Sequence, residues 1–316
     1  MKLISKEKLA PVIIFVYDRY YHTKKTLDAL QNNFLAEKTS LIIYSDCYKK
    51  KNKKKVLKVR NLIKKYKKFK SIKVIKRKKN FGLANSIKSG INQTFKKYNE
   101  AIFLEDDIVT NEYFLYFMNS CLIKYKKNKK IFHISSWNYP MIDYGLSDVN
   151  FSKVMNCWGW ATWKNRWTKV SFNDEKILKN FSSSQIKQLN IDGFENFWFT
   201  FLLNYKKKIS TWAIYWAISI IRNNALCVIP KNSYSENIGM DGTGENNSNK
   251  FLINPYMIRR KKTITDRLDF PQKVYESKVH RNYIKLFYFF ANSKVLTLVN
   301  RLYLVFIGMS NIKRVK

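Results

Sequence analysis

Three consecutive carboxylates, Glu105-Asp106-Asp107, follow directly on the apolar run Ala101–Leu104. Adjacent carboxylates at the end of a buried strand repel one another, and a divalent cation bound through oxygen ligands offsets that repulsion. A departing diphosphate needs such a cation too, because charge develops on its oxygens as the bond breaks. The triplet therefore reads as a metal site, with Asp107 the first choice of direct ligand. The competing reading is an acidic cap at a helix N-terminus. Asp18 and Asp46 likewise stand just after apolar runs, PVIIFVY and LIIYS.

A second group is aromatic. Trp158, Trp160, Trp163 and Trp167 surround Gly159. Indole faces stack on sugar C–H surfaces and indole N–H groups bind hydroxyls, but the same residues also build cores. The expectation is that at least two are core and that Trp158 or Trp160 faces a ligand, with Gly159 allowing close approach to the backbone. Four cysteines, at 47, 121, 157 and 227, form no C-x-x-C pair and no metal-ligand cluster, which points to a reducing cytoplasm.

The elements that must position these groups follow from the hydrophobic pattern. Pro11–Tyr17 is continuously apolar, as a strand covered on both faces is. Leu41–Tyr44, Ser71–Ile75 and Ala101–Leu104 read as further strands, separated by helical stretches that include Thr23–Asn32 and Phe81–Tyr98. That alternation predicts a mostly parallel, doubly wound α/β sheet, in which ligands bind beyond the carboxyl ends of the strands. Asp18, Asp46 and Asp106-Asp107 all fall at that edge. Farther on, Tyr113–Tyr125 and Trp212–Arg222 read as helices, Ile131–Ile134 and Leu226–Ile229 as strands. A polar helical region is expected up to Asn204, and Ser233–Asn249 reads as a Gly/Asn-rich loop.

Charge narrows the partners. The chain has 316 residues, 46% hydrophobic, with 60 Lys and Arg against 22 Asp and Glu, a net +38. An anionic partner such as a nucleotide, an acidic membrane or nucleic acid follows, unless a lysine-biased composition alone explains the excess. Residues 49–79 hold 18 Lys or Arg and no acid, with Val56, Val59, Leu62, Ile63 and Tyr66 at helical spacing. This reads as a helix with one buried stripe and a solvated basic face, against a nucleic-acid or lipid surface. Residues 280–316 carry seven basic residues and no acid among apolar segments. Packing on the core and lying on an anionic membrane are equally open for this tail. No run approaches the roughly 18 apolar residues that span a bilayer.

The segment FLEDDIVTNEYFLYF resembles the metal-binding segment of N-acetylglucosaminyltransferase I and its bacterial relatives, glycosyltransferases of the GT-A fold. PVIIFVYDRYYHTKKTLDAL and LIIYSDC are similar to that family's first two strands, and CWGWATWKNRW to its Gly-Trp acceptor-side motif. PKNSYSENIGMDGTG is similar to a loop common in bacterial sugar transferases. The likeness runs from residue 11 to about 247 and is strongest in the first half. It implies that Asp46 accepts a hydrogen bond from a uracil ring and that Arg19 holds the nucleotide. It places Asp106 on the ribose or donor sugar and Mn²⁺ or Mg²⁺ on Asp107. Asp18 and Glu105 join the donor side, and Trp158, Gly159 and Trp160 the acceptor side. One departure matters: where the family has an Asp between two Trp residues as general base, this chain reads Trp212-Ala213-Ile214-Tyr215-Trp216. Inverting transfer needs a carboxylate to deprotonate the acceptor. Of Asp192, Glu195, Glu236 and Asp241, Asp241 is favoured, then Glu236. Gly242 and Gly244 would give their loop hinge freedom.

Taken together, the sequence predicts a Rossmann-like GT-A domain over residues 1–255, with a donor half to about 135 and an acceptor half beyond it, and a basic amphipathic tail over 256–316. The expected reaction is metal-dependent transfer of a sugar from a nucleotide donor, UDP-linked, to a glycan or lipid-linked glycan hydroxyl. Such a role belongs to bacterial surface polysaccharide or lipooligosaccharide synthesis at the inner face of the cytoplasmic membrane. Two rivals stand beside it: an inactive glycan or nucleotide-sugar binder, because of Ala213, and a nucleic-acid-binding protein. The second lacks any helix-turn-helix, RRM-like or zinc-finger signature.

Overall fold

The computed structural model describes residues 8–140, 144–241, 254–257 and 268–299. Gly242 and Gly244 of the expected loop, and residues 300–316 of the expected tail, lie outside the described residues. The first half alternates β1 (Val12–Val16), α1 (Tyr20–Gln31), β2 (Ser40–Ser45), α2 (Lys53–Ile63), β3 (Ser71–Lys76), α3 (Leu83–Thr94) and β4 (Glu100–Glu105). The four strands lie parallel in the order β3-β2-β1-β4.

Side-chain alternation explains why these strands are apolar throughout. Val12, Ile14, Leu41, Ile43, Ile102 and Leu104 enter one core, which α1 and α2 cover. Their neighbours Ile13, Phe15, Ile42, Tyr44 and Phe103 enter a second core on the opposite face, which α3 covers. Successive residues of a strand point to opposite faces, so a sheet buried on both sides needs no polar positions. α2 turns Val56, Val59, Leu62 and Ile63 inward, the stripe expected from spacing. Lysines also mark β3, the edge strand, where charge discourages pairing with another chain.

Beyond β4 come β5 (Ile108–Thr110), α4 (Phe114–Tyr125), β6 (Ile131–Ser135), β7 (Val149–Ser152), β8 (Trp160–Trp163), α5 (Lys164–Trp167), α6 (Asp174–Asn180), α7 (Ser183–Leu189), α8 (Phe197–Tyr205), α9 (Ala213–Arg222), β9 (Leu226–Pro230), β10 (Ser235–Asn237) and α10 (Lys278–Ala291). β8 joins antiparallel to β4 and leads on to β6, β9 and β7, completing an eight-stranded sheet. β5 and β10 form a separate antiparallel pair.

One element differs from expectation, and a second takes one of the two readings left open. α8, within the region read as polar, is FWFTFLLNY with only Phe201 fully buried. α10, the first part of the expected tail, packs Ile284, Phe287 and Tyr288 against Trp137, Tyr139 and Ile191, while His280 meets Asn138 at 2.9 Å. This stretch is core on its inner face.

Two buried histidines make the fold acid-sensitive. His133 accepts from Trp216 Nε1 at Nδ1 (3.0 Å) and bonds the Asn156 carbonyl through Nε2, a neutral tautomer satisfied at both nitrogens. Burial lowers its pKa to about 3, and that of His280 to about 4. An unfolded histidine titrates near 6.5, so as pH falls below that value the unfolded chain takes up protons the folded one refuses. Stability is therefore complete above about pH 6.5 and declines towards pH 4. Asp106, raised to about 6 mainly by burial, opposes this in part, since the folded state protonates it first. The melting temperature is expected to fall between pH 7 and pH 5. A flat or rising profile would contradict this account.

Candidate functional site

β1, β2 and β4 end side by side: Val16 is level with Ser45, and Phe15 with Glu105. The chain therefore delivers Asp18, Asp46 and Asp106-Asp107 to one edge of the sheet. Asp106 and Asp107 are both buried. Arg19, immediately before α1, bridges them, with Nη2 on Asp106 Oδ1 and 2.8 Å from Asp107 Oδ2. Burial disfavours the charged guanidinium, but the two carboxylates outweigh it and hold its pKa above the ordinary value. Thr26 Oγ1 donates to the Asp106 carbonyl at 2.9 Å and fixes the turn on α1.

The segment after β10 lies over this group. Ile238 N–H donates to the Asp107 carbonyl at 2.9 Å, and Gly239 N–H to Asn237 Oδ1 at 2.7 Å. A Cβ at Gly239 would stand 2.0 Å from Asp107 Oδ2 and 3.0 Å from Arg19 Nη1, so only glycine fits against the carboxylate. Two residues on, Asp241 Oδ2 is 3.1 Å from His22 Nε2, tying the segment to α1. Glu236 sits on β10, level with Val109 of β5.

Asp46 is more heavily engaged than its expected role requires. Its carboxylate accepts main-chain N–H groups from Cys47 (2.8 Å), Phe81 (3.0 and 3.1 Å) and Gly82 (3.0 Å), and so orders the turn into α3. Gly82 adopts φ +71 in that turn, a left-handed conformation suited to glycine. Asp18 is likewise bonded, accepting from Asn52 Nδ2. Glu105, half-buried at the end of β4, and Asp107 lie close enough to Cys157 to add to the burial that pushes its thiol upward.

Of the residues expected to meet an acceptor, Trp160 needs correction. Trp160 is 2% exposed and stacks on Trp212 at 5.1 Å, so it is core and cannot meet a sugar. Trp163 and Trp167 are buried too. Gly159 does admit a close approach, at φ +85, but to Ser136, whose Oγ would lie 2.4 Å from an added Cβ. Trp158 remains half-buried, edge-on to Trp137 at 4.5 Å, and its carbonyl accepts from Ser235 Oγ at 2.5 Å. Ala213 opens α9 and packs against the apolar cluster that also holds Trp160 and Trp212. Asp192 and Glu195 are distant from these groups in role: Asp192 pairs with Arg281 and Lys285, and Glu195 with Asn292.

The sequence matches the GNT-I family over residues 1–172, more than half of the chain, a span that includes Asp18, Arg19, Asp46, Glu105, Asp106 and Asp107. The chain belongs to the GNT-I family. This is a family of GT-A glycosyltransferases, and the eight-stranded, mainly parallel sheet flanked by helices agrees with that fold. No curated protein matches the sequence. Among solved structures, the GNT-I family chain is similar to residues 1–349 of TarS from S. aureus, with 11% identity, a TM-score of 0.42, and coverage of 72% of this chain and 59% of that one. It is also similar to a longer TarS structure, at 12% identity and TM-score 0.39, covering 74% of this chain and 37% of that one. A third is the mannosyltransferase PcManGT from Pyrobaculum calidifontis in complex with GDP-Man and Mn²⁺, at 9% identity and TM-score 0.38, covering 70% and 74%.

The family member's carboxylates suit a hard cation. Among the described residues no three His, Cys, Asp or Glu side chains converge on one point. Asp106 and Asp107 are buried carboxylates, and oxygen ligands of this kind fit Mg²⁺ or Mn²⁺ completed by diphosphate oxygens and water.

Proposed function

We propose that this chain transfers a sugar from a UDP-linked donor to a glycan hydroxyl, with inversion, using Mn²⁺ or Mg²⁺ held by Asp107. The observation that carries the reading is the Arg19-Asp106-Asp107 group at the carboxyl edge of the sheet, closed over by Gly239. Asp107 would hold the cation there, and its charge would offset that developing on the departing diphosphate. Arg19 orients the two carboxylates and adds positive charge beside the phosphates, and the Asp46-ordered turn borders the nucleotide. Trp158 offers the acceptor an aromatic face. The acceptor proposed is a lipid-linked or surface polysaccharide precursor, met at the inner face of the cytoplasmic membrane. Residues 1–255 would carry both halves of the site.

The acceptor proton is assigned to Asp241, with Glu236 second. Asp241→Asn is expected to lower kcat by roughly 10²- to 10⁴-fold with nucleotide affinity kept. Full activity in this variant would remove Asp241 from the role. Ala213 favours a second reading, an inactive nucleotide-sugar binder. Metal-dependent UDP binding by the wild type with neither transfer nor donor hydrolysis would support it. Appearance of turnover in Ala213→Asp would then show which carboxylate is missing.

A further inference from the structure

α8 and α10 leave an apolar surface facing water. Phe199 on α8 is 53% exposed, and Phe289 and Phe290 on α10 are 61% and 59% exposed, with Leu286 and Val295 exposed beside them. The two helices are neighbours. Phe197 and Tyr288 have ring centroids 6.1 Å apart, and Asn292 Nδ2 donates to the Phe194 carbonyl at 3.0 Å. α10 has its own buried face, formed by His280, Ile284, Phe287 and Tyr288, and among the described residues Phe289 and Phe290 lie outside it. Exposed aromatic clusters of this kind mark contact surfaces, because leaving them in water is unfavourable.

The charge carried at the ends of the same two helices points to the partner. Lys206, Lys207 and Lys208 follow α8 directly and are exposed, as are Lys278 and Lys294 at either end of α10. The sequence has no Asp or Glu between 196 and 235, and none after Glu276. Of the acids near the seam, Asp192 is engaged by Arg281 and Lys285 and Glu276 by Arg281, while Glu195 accepts from Asn292 Nδ2 at 3.3 Å and is outnumbered by the lysines. A symmetric pairing with a second copy would press these lysines against their equivalents, a like-charge contact that disfavours it. An anionic bilayer satisfies both parts, taking phenylalanines into the acyl boundary and lysines among its headgroups.

We infer that α8 and α10 together form the face by which the protein docks on an anionic lipid bilayer. The face includes an internal helix as well as the C-terminal one, and the inference is independent of the sugar chemistry. It is tested by flotation of the full chain with phosphatidylcholine vesicles and with vesicles containing 30% phosphatidylglycerol, at low and high salt. Binding is expected on the anionic vesicles only. The Lys206→Gln/Lys207→Gln/Lys208→Gln variant should lose roughly 100-fold in affinity at low salt. Phe289→Ser/Phe290→Ser should lose at least about 10-fold, with an unchanged melting temperature, since both rings are exposed. Should that variant misfold, Phe199→Ser on α8 makes the same test. Failure of the wild type to bind anionic vesicles would overturn the inference. So would undiminished binding by the folded phenylalanine variants, or a lipid-free dimer that those variants dissolve.

Discussion

Asp107→Ala is expected to lower sugar transfer by roughly 10³-fold, because several kcal/mol of charge stabilisation on the leaving diphosphate are lost with the metal ligand. The fold should survive. Asp107 sits in the turn after β4 rather than within a core cluster, and the main-chain bond from Ile238 to its carbonyl does not need the side chain. Arg19 would keep its contact with Asp106, so the alanine variant leaves no guanidinium stranded. The check is turnover beside melting temperature. A folded Asp107→Ala protein with wild-type turnover would separate this carboxylate from the chemistry.

Gly239→Ala should be nearly as damaging through one methyl group. Its Cβ would lie 2.0 Å from Asp107 Oδ2 and 2.8 Å from Asp107 Cγ, far inside contact distance. Asp107 has little freedom to yield, since it is buried and held by Arg19 at 2.8 Å. Either the carboxylate rotates or the segment lifts away. Displacement by about 1 Å at a reacting site costs on the order of 10²-fold in rate, and the metal-dependent part of nucleotide affinity should fall with it. Stability should barely change, because the clash is relieved at the edge of the site rather than in the core. Activity equal to wild type in Gly239→Ala would mean that the segment does not lie against Asp107 in the working enzyme.

Much of the first half of the fold was legible in the sequence because its signals are local. A strand buried on both faces reads as an unbroken apolar run, so PVIIFVY, LIIYS and AIFL announced themselves, and parallel order then put Asp18, Asp46 and Asp106-Asp107 at one edge. What the sequence hid depends on distant partners. That Asp46 would be filled by N–H groups from Phe81 and Gly82, 35 and 36 residues away, has no local signature. The same holds for Gly239 against Asp107, although a glycine in NIGMDG was a hint that something comes close. Trp160 and Trp158 look alike in sequence. Only the left-handed turn at Gly159, which lets β8 begin at Trp160 and carry it into the cluster of Phe103 and Trp212 while Trp158 stays outside the strand, separates core from surface. α8 was misread because Asn, Lys and Gln on either side of it dilute its nine-residue apolar stretch.

The central claim is that nucleotide binding here passes through a cation on Asp107. Thermal shift of the wild-type chain with UDP, with Mn²⁺ alone, and with both together tests it most directly, because a ligand that binds only the folded state raises apparent stability by mass action. The account predicts a shift with UDP and Mn²⁺ together that exceeds the sum of the separate shifts, and that disappears in Asp107→Ala. A UDP shift of the same size without metal, or a cooperative shift that persists in folded Asp107→Ala, would contradict it.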